Sequence, residues 1–328
     1  MLGKDLHGKI ALEEHFAIEE TLGEPHAFAP VWPELSRRLL NIDSCLADMD
    51  ASGIEMMVMS LNAPAVQGIP DAVTAVAVAR KANDRLAEAI ARHPMRFAGF
   101  AALPMQDPDA AAAELTRCVR ELGFVGALVN GFSQGPDADA AIYYDQPQYR
   151  PFWAAVEALD VPFYLHPRNP LPAHAPQYQG HAWMLGPNWA FGAETAIHAL
   201  RLIGSGLFDA HPKLRIILGH LGEGIPALLW RIDNRNGWMK LPHRYVAQHG
   251  VGDYFRQHFY ITTAGNFHTP ALQNVMAEVG LDHVLFSVDW PFEDIGQGSG
   301  WLDAAPLSDA QRVQIARENA IRLLKLKI

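Results

Sequence analysis

Short apolar runs alternate with longer stretches of helical spacing along the whole chain. The runs fall at residues 10–12, 56–60, 97–102, 125–129, 162–165, 215–218, 259–262 and 284–286. Each has the length and apolar character of a strand buried on both faces. Between them, "DAVTAVAVARKANDRLAEAIARHP" is rich in Ala, Leu and Arg, all good helix formers. "DPDAAAAELTRCVRELG" opens on an Asp-Pro start and stops at Gly123. "QPQYRPFWAAVEALD", "ETAIHALRLIGSG", "TPALQNVMAEVG" and "SDAQRVQIARENAIRLLKL" repeat the pattern. Eight strand–helix units in this length predict a parallel sheet closed as a (β/α)8 TIM barrel, one domain spanning residues 1–328. Two long insertions are expected, one after the first strand, with a helix near "VWPELSRRLLN", and one near 169–188. An open doubly wound sheet would want a Gly-rich first turn, and "LEEHF" is nothing like one.

Composition narrows the class. The 328 residues are 49% apolar and 19% charged, ordinary for a globular protein. A net charge of −10 argues against nucleic acid or an acidic membrane surface as a partner. It leaves room for a small anionic substrate, because a bound metal inverts the local field. Cys45 and Cys118 both fall in helical stretches, and nothing reads as a thiolate metal site. No apolar run reaches the ~18 residues of a membrane span. The opening "MLGKDLHGK" lacks the apolar core of a secretory signal, so the expected location is cytoplasmic.

The strand ends carry the chemistry. In a parallel barrel the reacting groups sit where strands give way to the following loops. Glu13 and His15 follow the first run, and Asn62 the second. Asn130 follows the fourth, His166 the fifth, His220 and Glu223 the sixth, and Asp289 the eighth. In an extended segment Glu13 and His15 share a side while Glu14 faces the other way. Runs three and seven end in the blander "AALP" and "ITTAGN". Singly, each polar residue has an ordinary explanation: a hydrogen-bonded histidine, a helix cap, a first-turn acid or a turn-forming Asn. Together, Glu, His, His and Asp from four strands at one rim would be costly to bury without a compensating cation. Oxygen and nitrogen donors without thiolate suit Mn²⁺, Zn²⁺, Fe²⁺ or Co²⁺, and one ion rather than two, since no bridging anionic ligand is evident. The remaining histidines, His198 and His258 among them, are assigned to surface or loops.

"ALEEHF", "FYLHPRNP", "LGHLGEG" and "FSVDWPFE", in this order, resemble the decarboxylase branch of the amidohydrolase superfamily. "LNAPAVQ", "GALVNGFSQ", "YYDQPQYRPFW" and "NAIRLLKL" extend the likeness over essentially the whole chain. The resemblance implies a carboxy-lyase that removes CO2, reversibly and without redox change, from an ortho-hydroxybenzoate; 2,6-dihydroxybenzoate, giving resorcinol, is the substrate it points to. It implies one divalent ion, Mn²⁺ or Zn²⁺, on Glu13, His15, His166 and Asp289, and no organic cofactor. Glu13 stands where most of the superfamily has a first histidine. Asp289, His220 and Glu223 fall on catalytic positions. Arg231, Asn130, Phe28, Phe191 and Phe292 fall on substrate-binding positions. A homotetramer is the implied assembly. Two other readings remain open at this point: a metal-dependent hydrolase of a lactone, ester or amide, and a non-catalytic barrel with a closed metal shell.

Overall fold

A computed structural model describes residues 8–23, 30–137, 139–239 and 245–328. The described residues form ten strands: β1 (Lys9–Phe16), β2 (Ile54–Leu61), β3 (Phe97–Ala101), β4 (Gly126–Asn130), β5 (Ser133–Gln134), β6 (Ala141–Ile142), β7 (Phe163–His166), β8 (Ile216–Leu218), β9 (Phe259–Thr262) and β10 (Val284–Leu285). Eight of them form one sheet in the order β1-β2-β3-β4-β7-β8-β9-β10, and every pair in it is parallel. Strands β5 and β6 make a small antiparallel pair in the loop after β4. This is the nearly closed (β/α)8 barrel that the alternating pattern predicts.

Alternation divides the side chains into two layers. Ile10, Leu12, Met56, Val58, Phe100, Leu128, Tyr164, Ile217 and Leu285 fill the lumen and meet Leu323 and Leu324 near the C-terminus. Their neighbours Ala11, Met57, Met59, Ala127, Val129, Phe163, Leu165 and Ile216 pack outward against the helices. The β1–β2 register shifts twice, between Lys9 and Ile10 and again above Ala11. Ala11 pairs with Met57 but Glu14 with Met59, so β1 carries one extra residue between them. Such a bulge re-aims the side chains beyond it. Ile10 and Leu12 face the lumen below it, Glu13 and His15 face the lumen above it, and Glu14 turns away.

The long connections are more structured than loops. The one after β1 holds the helices Trp32–Leu40 and Leu46–Ser52. The segment 169–188 winds through four short 3-10 turns. His198 and His258, assigned above to surface or loops, are buried: helix faces turn both inward, where they meet Tyr144 and Phe208. Both cysteines are buried and free. Among the described residues no helix is long and apolar enough to cross a membrane.

Candidate metal centre

Three strand ends, those of β1, β7 and β10, bring Glu13, His15, His166 and Asp289 together, with one ligand-capable atom of each lying within 4.8 Å of all the others. The three strand residues are buried, and Asp289 is nearly so. Each outer atom is held. Ser60 Oγ donates to the Glu14 carbonyl at 3.2 Å and lies 3.2 Å from His15 Nδ1, so Nδ1–H is the donor to it. His166 Nδ1 lies 3.0 Å from the Pro167 carbonyl, which can only accept. Tyr164, buried in the lumen below, donates its hydroxyl to Glu13 Oε2 and lies 2.7 Å from Thr262 Oγ1. These contacts fix both tautomers and leave the Nε2 lone pairs facing inward.

Those inward atoms have no partner but one another. Glu13 Oε1 and His15 Nε2 are buried without a hydrogen bond. His166 Nε2 sits 3.1 Å from Glu13 Oε1, and His15 Nε2 sits 3.2 Å from Asp289 Oδ1. With both imidazoles neutral, lone pairs confront carboxylate oxygens, an arrangement that a central cation relieves. The donor set is all oxygen and nitrogen, which fits Mn²⁺ or Zn²⁺. The residues therefore fit one divalent ion.

His220 stands beside this cluster on an unusual backbone. His220, Leu221, Gly222, Glu223 and Gly224 all have positive φ, at 51°, 56°, 83°, 55° and 76°. The chain makes one left-handed turn, at roughly 1–2 kcal/mol for each of its three non-glycine residues. The turn is held by Gly222 N–H on the Gly219 carbonyl at 2.7 Å and by Ile225 N–H on the Gly222 carbonyl at 3.0 Å. It sets His220 Nδ1 2.8 Å from Glu223 Oε1 and points Nε2 at Asp289 Oδ2 and Glu13 Oε1, each 3.6 Å away.

The electrostatics follow from this placement. Burial opposes charge on His220, but the Glu223 and Glu13 carboxylates, with hydrogen bonds to Asp289 and Glu223, push it well above the ordinary histidine value. Burial alone would raise Asp289; hydrogen bonds and charge from His15 and His220 outweigh it and hold the carboxyl well below its ordinary value. Burial likewise opposes ionisation of Glu13, and the His220 charge and the His166 hydrogen bond overcome it. Burial opposes charge on His15 too, but the Asp289 hydrogen bond and the Asp289 and Glu13 carboxylates raise it above its ordinary value, an imidazolium charge that a bound divalent cation would replace.

The remaining expected residues are placed unevenly. Asn130 pairs with His166 in register, and its amide donates to the carbonyls of Leu61 and Asn62 at 3.2 and 3.1 Å, leaving Oδ1 buried without a partner. Phe292 tilts over His15, with ring centroids 5.9 Å apart. Phe191 is half-buried at the start of the helix Ala190–Gly204, next to Gly192, where a Cβ would come 2.9 Å from Glu223 Oε2. Arg231 is exposed on the helix Leu229–Met239. Phe28 lies outside the described residues. Reading strand ends overlooks Tyr164 and Thr262, which flank the ligands inside the lumen, and the bland "ITTAGN". That segment supplies Asn266, whose amide donates to the His220 carbonyl at 3.2 Å, and Gly265, where a Cβ would meet His220 Cδ2 at 3.0 Å. Tyr164 was detectable, since it precedes His166 by two residues on one strand.

Comparison with known proteins identifies the family. The amidohydrolase family model matches residues 30–326. A γ-resorcylate decarboxylase from Rhizobium radiobacter is 61% identical over 324 residues, covering 98% of this chain and 99% of its own length. The crystal structure of a 2,6-dihydroxybenzoate decarboxylase complexed with 2,6-dihydroxybenzoate superposes with a TM-score of 0.95 at 61% identity, covering 98% of this chain and all of that one. A dihydroxybenzoic acid decarboxylase from Polaromonas sp. JS666, solved with bound manganese and the inhibitor 2-nitroresorcinol, gives a TM-score of 0.95 at 58% identity over 98% of each chain. A barrel whose strand ends converge on one cation site, matched nearly end to end, belongs to the amidohydrolase family.

Proposed function

We propose that this chain is a metal-dependent, non-oxidative decarboxylase of ortho-hydroxybenzoates, acting on 2,6-dihydroxybenzoate (γ-resorcylate) to give resorcinol and CO2. The observation that carries the reading is the 61% identity to a γ-resorcylate decarboxylase across 98% of the chain. The barrier to such a reaction is an aryl carbanion. Protonating the ring carbon that bears the carboxylate avoids it, because the ortho hydroxyl stabilises the dearomatised, ketone-like product of that step. The carbon–carbon bond then breaks, CO2 leaves, and the bonding pair restores the ring. One proton is consumed per turnover.

A divalent ion on Glu13, His15, His166 and Asp289 supplies Lewis-acid stabilisation of the substrate's carboxylate and ortho oxygens. The chain's own residues handle the proton. His220, kept protonated by Glu223 and Glu13, stores it. Asp289, a carboxylate at rest with Oδ2 3.6 Å from His220 Nε2, takes the proton and delivers it to the ring carbon. Glu223 orients the imidazole and balances its charge. Phe292 and Phe191, with Phe28, clamp the aromatic ring. Asn130 Oδ1, unpartnered beside His166, accepts from a substrate hydroxyl. Arg231 makes no hydrogen bond or ion pair with the described residues, which leaves its planar fork for a substrate oxygen. The enzyme works in the cytoplasm as a homotetramer. The helix Leu229–Met239 supports the assembly: it buries only Leu229 and exposes Trp230 and Trp238 by 74% and 77%, apolar surface of the kind subunits cover.

Manganese-loaded protein incubated with 2,6-dihydroxybenzoate should release resorcinol and CO2 in equal amounts, and Asp289→Asn should release neither. Hydrolysis of a lactone, ester or amide without CO2 release from hydroxybenzoates would replace this reading with the hydrolase one. A native mass of a single chain would remove the tetramer.

A further inference from the structure

Glu14 is the acid of the opening strand that the metal centre leaves unused. It is fully buried and turned away from the four donors. Strands β1 and β10 end the sheet order and share no ladder. Their seam is bridged instead by this side chain. Glu14 Oε1 accepts from Ser287 Oγ at 2.8 Å and from Val288 N–H at 2.9 Å, and Oε2 accepts from Trp290 N–H at 2.7 Å. Ser287 Oγ in turn accepts from the N–H groups of Leu12 and Glu13 at 3.1 and 2.6 Å. The His15 N–H closes the seam on the Trp290 carbonyl at 2.7 Å.

The two N–H groups that Glu14 grips belong to Val288 and Trp290, the residues on either side of Asp289. Asp289 has φ +83°, a conformation that a non-glycine residue keeps only when its surroundings enforce it. The gripping carboxylate belongs to the residue between Glu13 and His15. One side chain thus fixes three of the four metal donors relative to one another. We propose that Glu14 is a positioning residue of the metal centre, whose carboxylate holds the Asp289 backbone in register with Glu13 and His15 across the barrel seam.

The chemistry of the contact separates this role from packing. Three donors converge on two oxygens. Glutamine fills the same volume but offers a single acceptor oxygen, so its NH2 must face either the Trp290 N–H or the Val288 N–H. In Glu14→Gln, Mn²⁺ affinity, read by electron paramagnetic resonance of free Mn²⁺, should fall by about 10- to 100-fold. The spectrum of bound Mn²⁺ should change. At saturating Mn²⁺, kcat on 2,6-dihydroxybenzoate should fall by about tenfold or more, with KM within about twofold. A lowered thermal midpoint with Mn²⁺ affinity, spectrum and kcat unchanged would reduce Glu14 to barrel closure and overturn the proposal. Should Glu14→Gln fail to fold, Glu14→Asp carries the test, because it keeps the carboxylate but draws it back by one methylene from the Val288 and Trp290 N–H groups. A loss of Mn²⁺ affinity of about threefold or more supports the proposal, and unchanged affinity overturns it. The inference rests on the metal centre and not on the substrate. Wild-type protein that binds Mn²⁺ but leaves hydroxybenzoates intact would sink the decarboxylase reading, while the Mn²⁺ comparison would still decide the role of Glu14.

Discussion

His220 and Glu223 face each other at 2.8 Å because the backbone between them winds the wrong way. A right-handed helix also brings residues three apart together, but it would continue along the barrel's outer layer. The left-handed turn ends within five residues and keeps both groups over the strand ends. If Glu223 holds the proton on His220, Glu223→Gln should lower kcat by about tenfold or more, and His220→Asn by about 10²- to 10⁴-fold. Steady-state kinetics with metal analysis on the same samples checks this. Full Mn²⁺ content with collapsed kcat is the expected outcome; lost Mn²⁺ would make His220 a ligand instead.

Tyr164 donates to the Glu13 oxygen that faces away from the cation site. Tyr164→Phe removes the hydroxyl and little volume. The variant should fold, and its Mn²⁺ affinity should fall by about 10- to 100-fold in a chelator competition. Unaltered affinity would mean that Thr262 alone suffices to orient Glu13.

Gly265 combines a φ of +59° with a position where a Cβ would lie 3.0 Å from His220 Cδ2 and 3.4 Å from Asp289 Oδ2. Gly265→Ala should lose about 1–2 kcal/mol of stability from the backbone alone. Crowding of His220 should lower kcat while Mn²⁺ content holds. Calorimetry and kinetics together test both halves.

His198 links acid sensitivity to the wall of the barrel. Its Nε2 accepts from the Tyr144 N–H at 3.2 Å, and burial, with Arg201 nearby, pushes its pKa down to about 3. Between that value and about 6.5 the unfolded chain binds a proton that the folded chain refuses. Stability therefore falls as pH drops from about 6.5 toward 3, by on the order of 5 kcal/mol in total. His198→Gln keeps an acceptor and removes the titration. Its thermal midpoint should decline less than that of the wild type between pH 7 and pH 4.5.

The parts of the site that could be read from the sequence are those governed by one-dimensional rules. Period-two strands followed by loops place Glu13, His15, His166 and Asp289 at one rim, because a parallel barrel collects every strand end there. Glu14 was visible as the residue facing the other way, but its task depends on Ser287, Val288 and Trp290, more than 270 positions away, and no local pattern encodes that pairing. His198 and His258 were misplaced because a histidine on a helix does not announce whether its face is inward. The handedness of residues 220–224 was equally hidden. "HLGEG" has glycines at two of its five positions, and nothing in it says that His220, Leu221 and Glu223 share their conformation.

The extra residue in β1 has a consequence for how the lumen is layered. Without it, Leu12 and Glu13 would point in opposite directions, and either the dry plug or the charged mouth would need another strand to furnish it. With it, oil gives way to ion within a single peptide unit, a climb of ~3.3 Å along the strand. The cation's seat can therefore rest directly on the hydrocarbon floor, with the buried hydroxyls of Tyr164 and Thr262 between them.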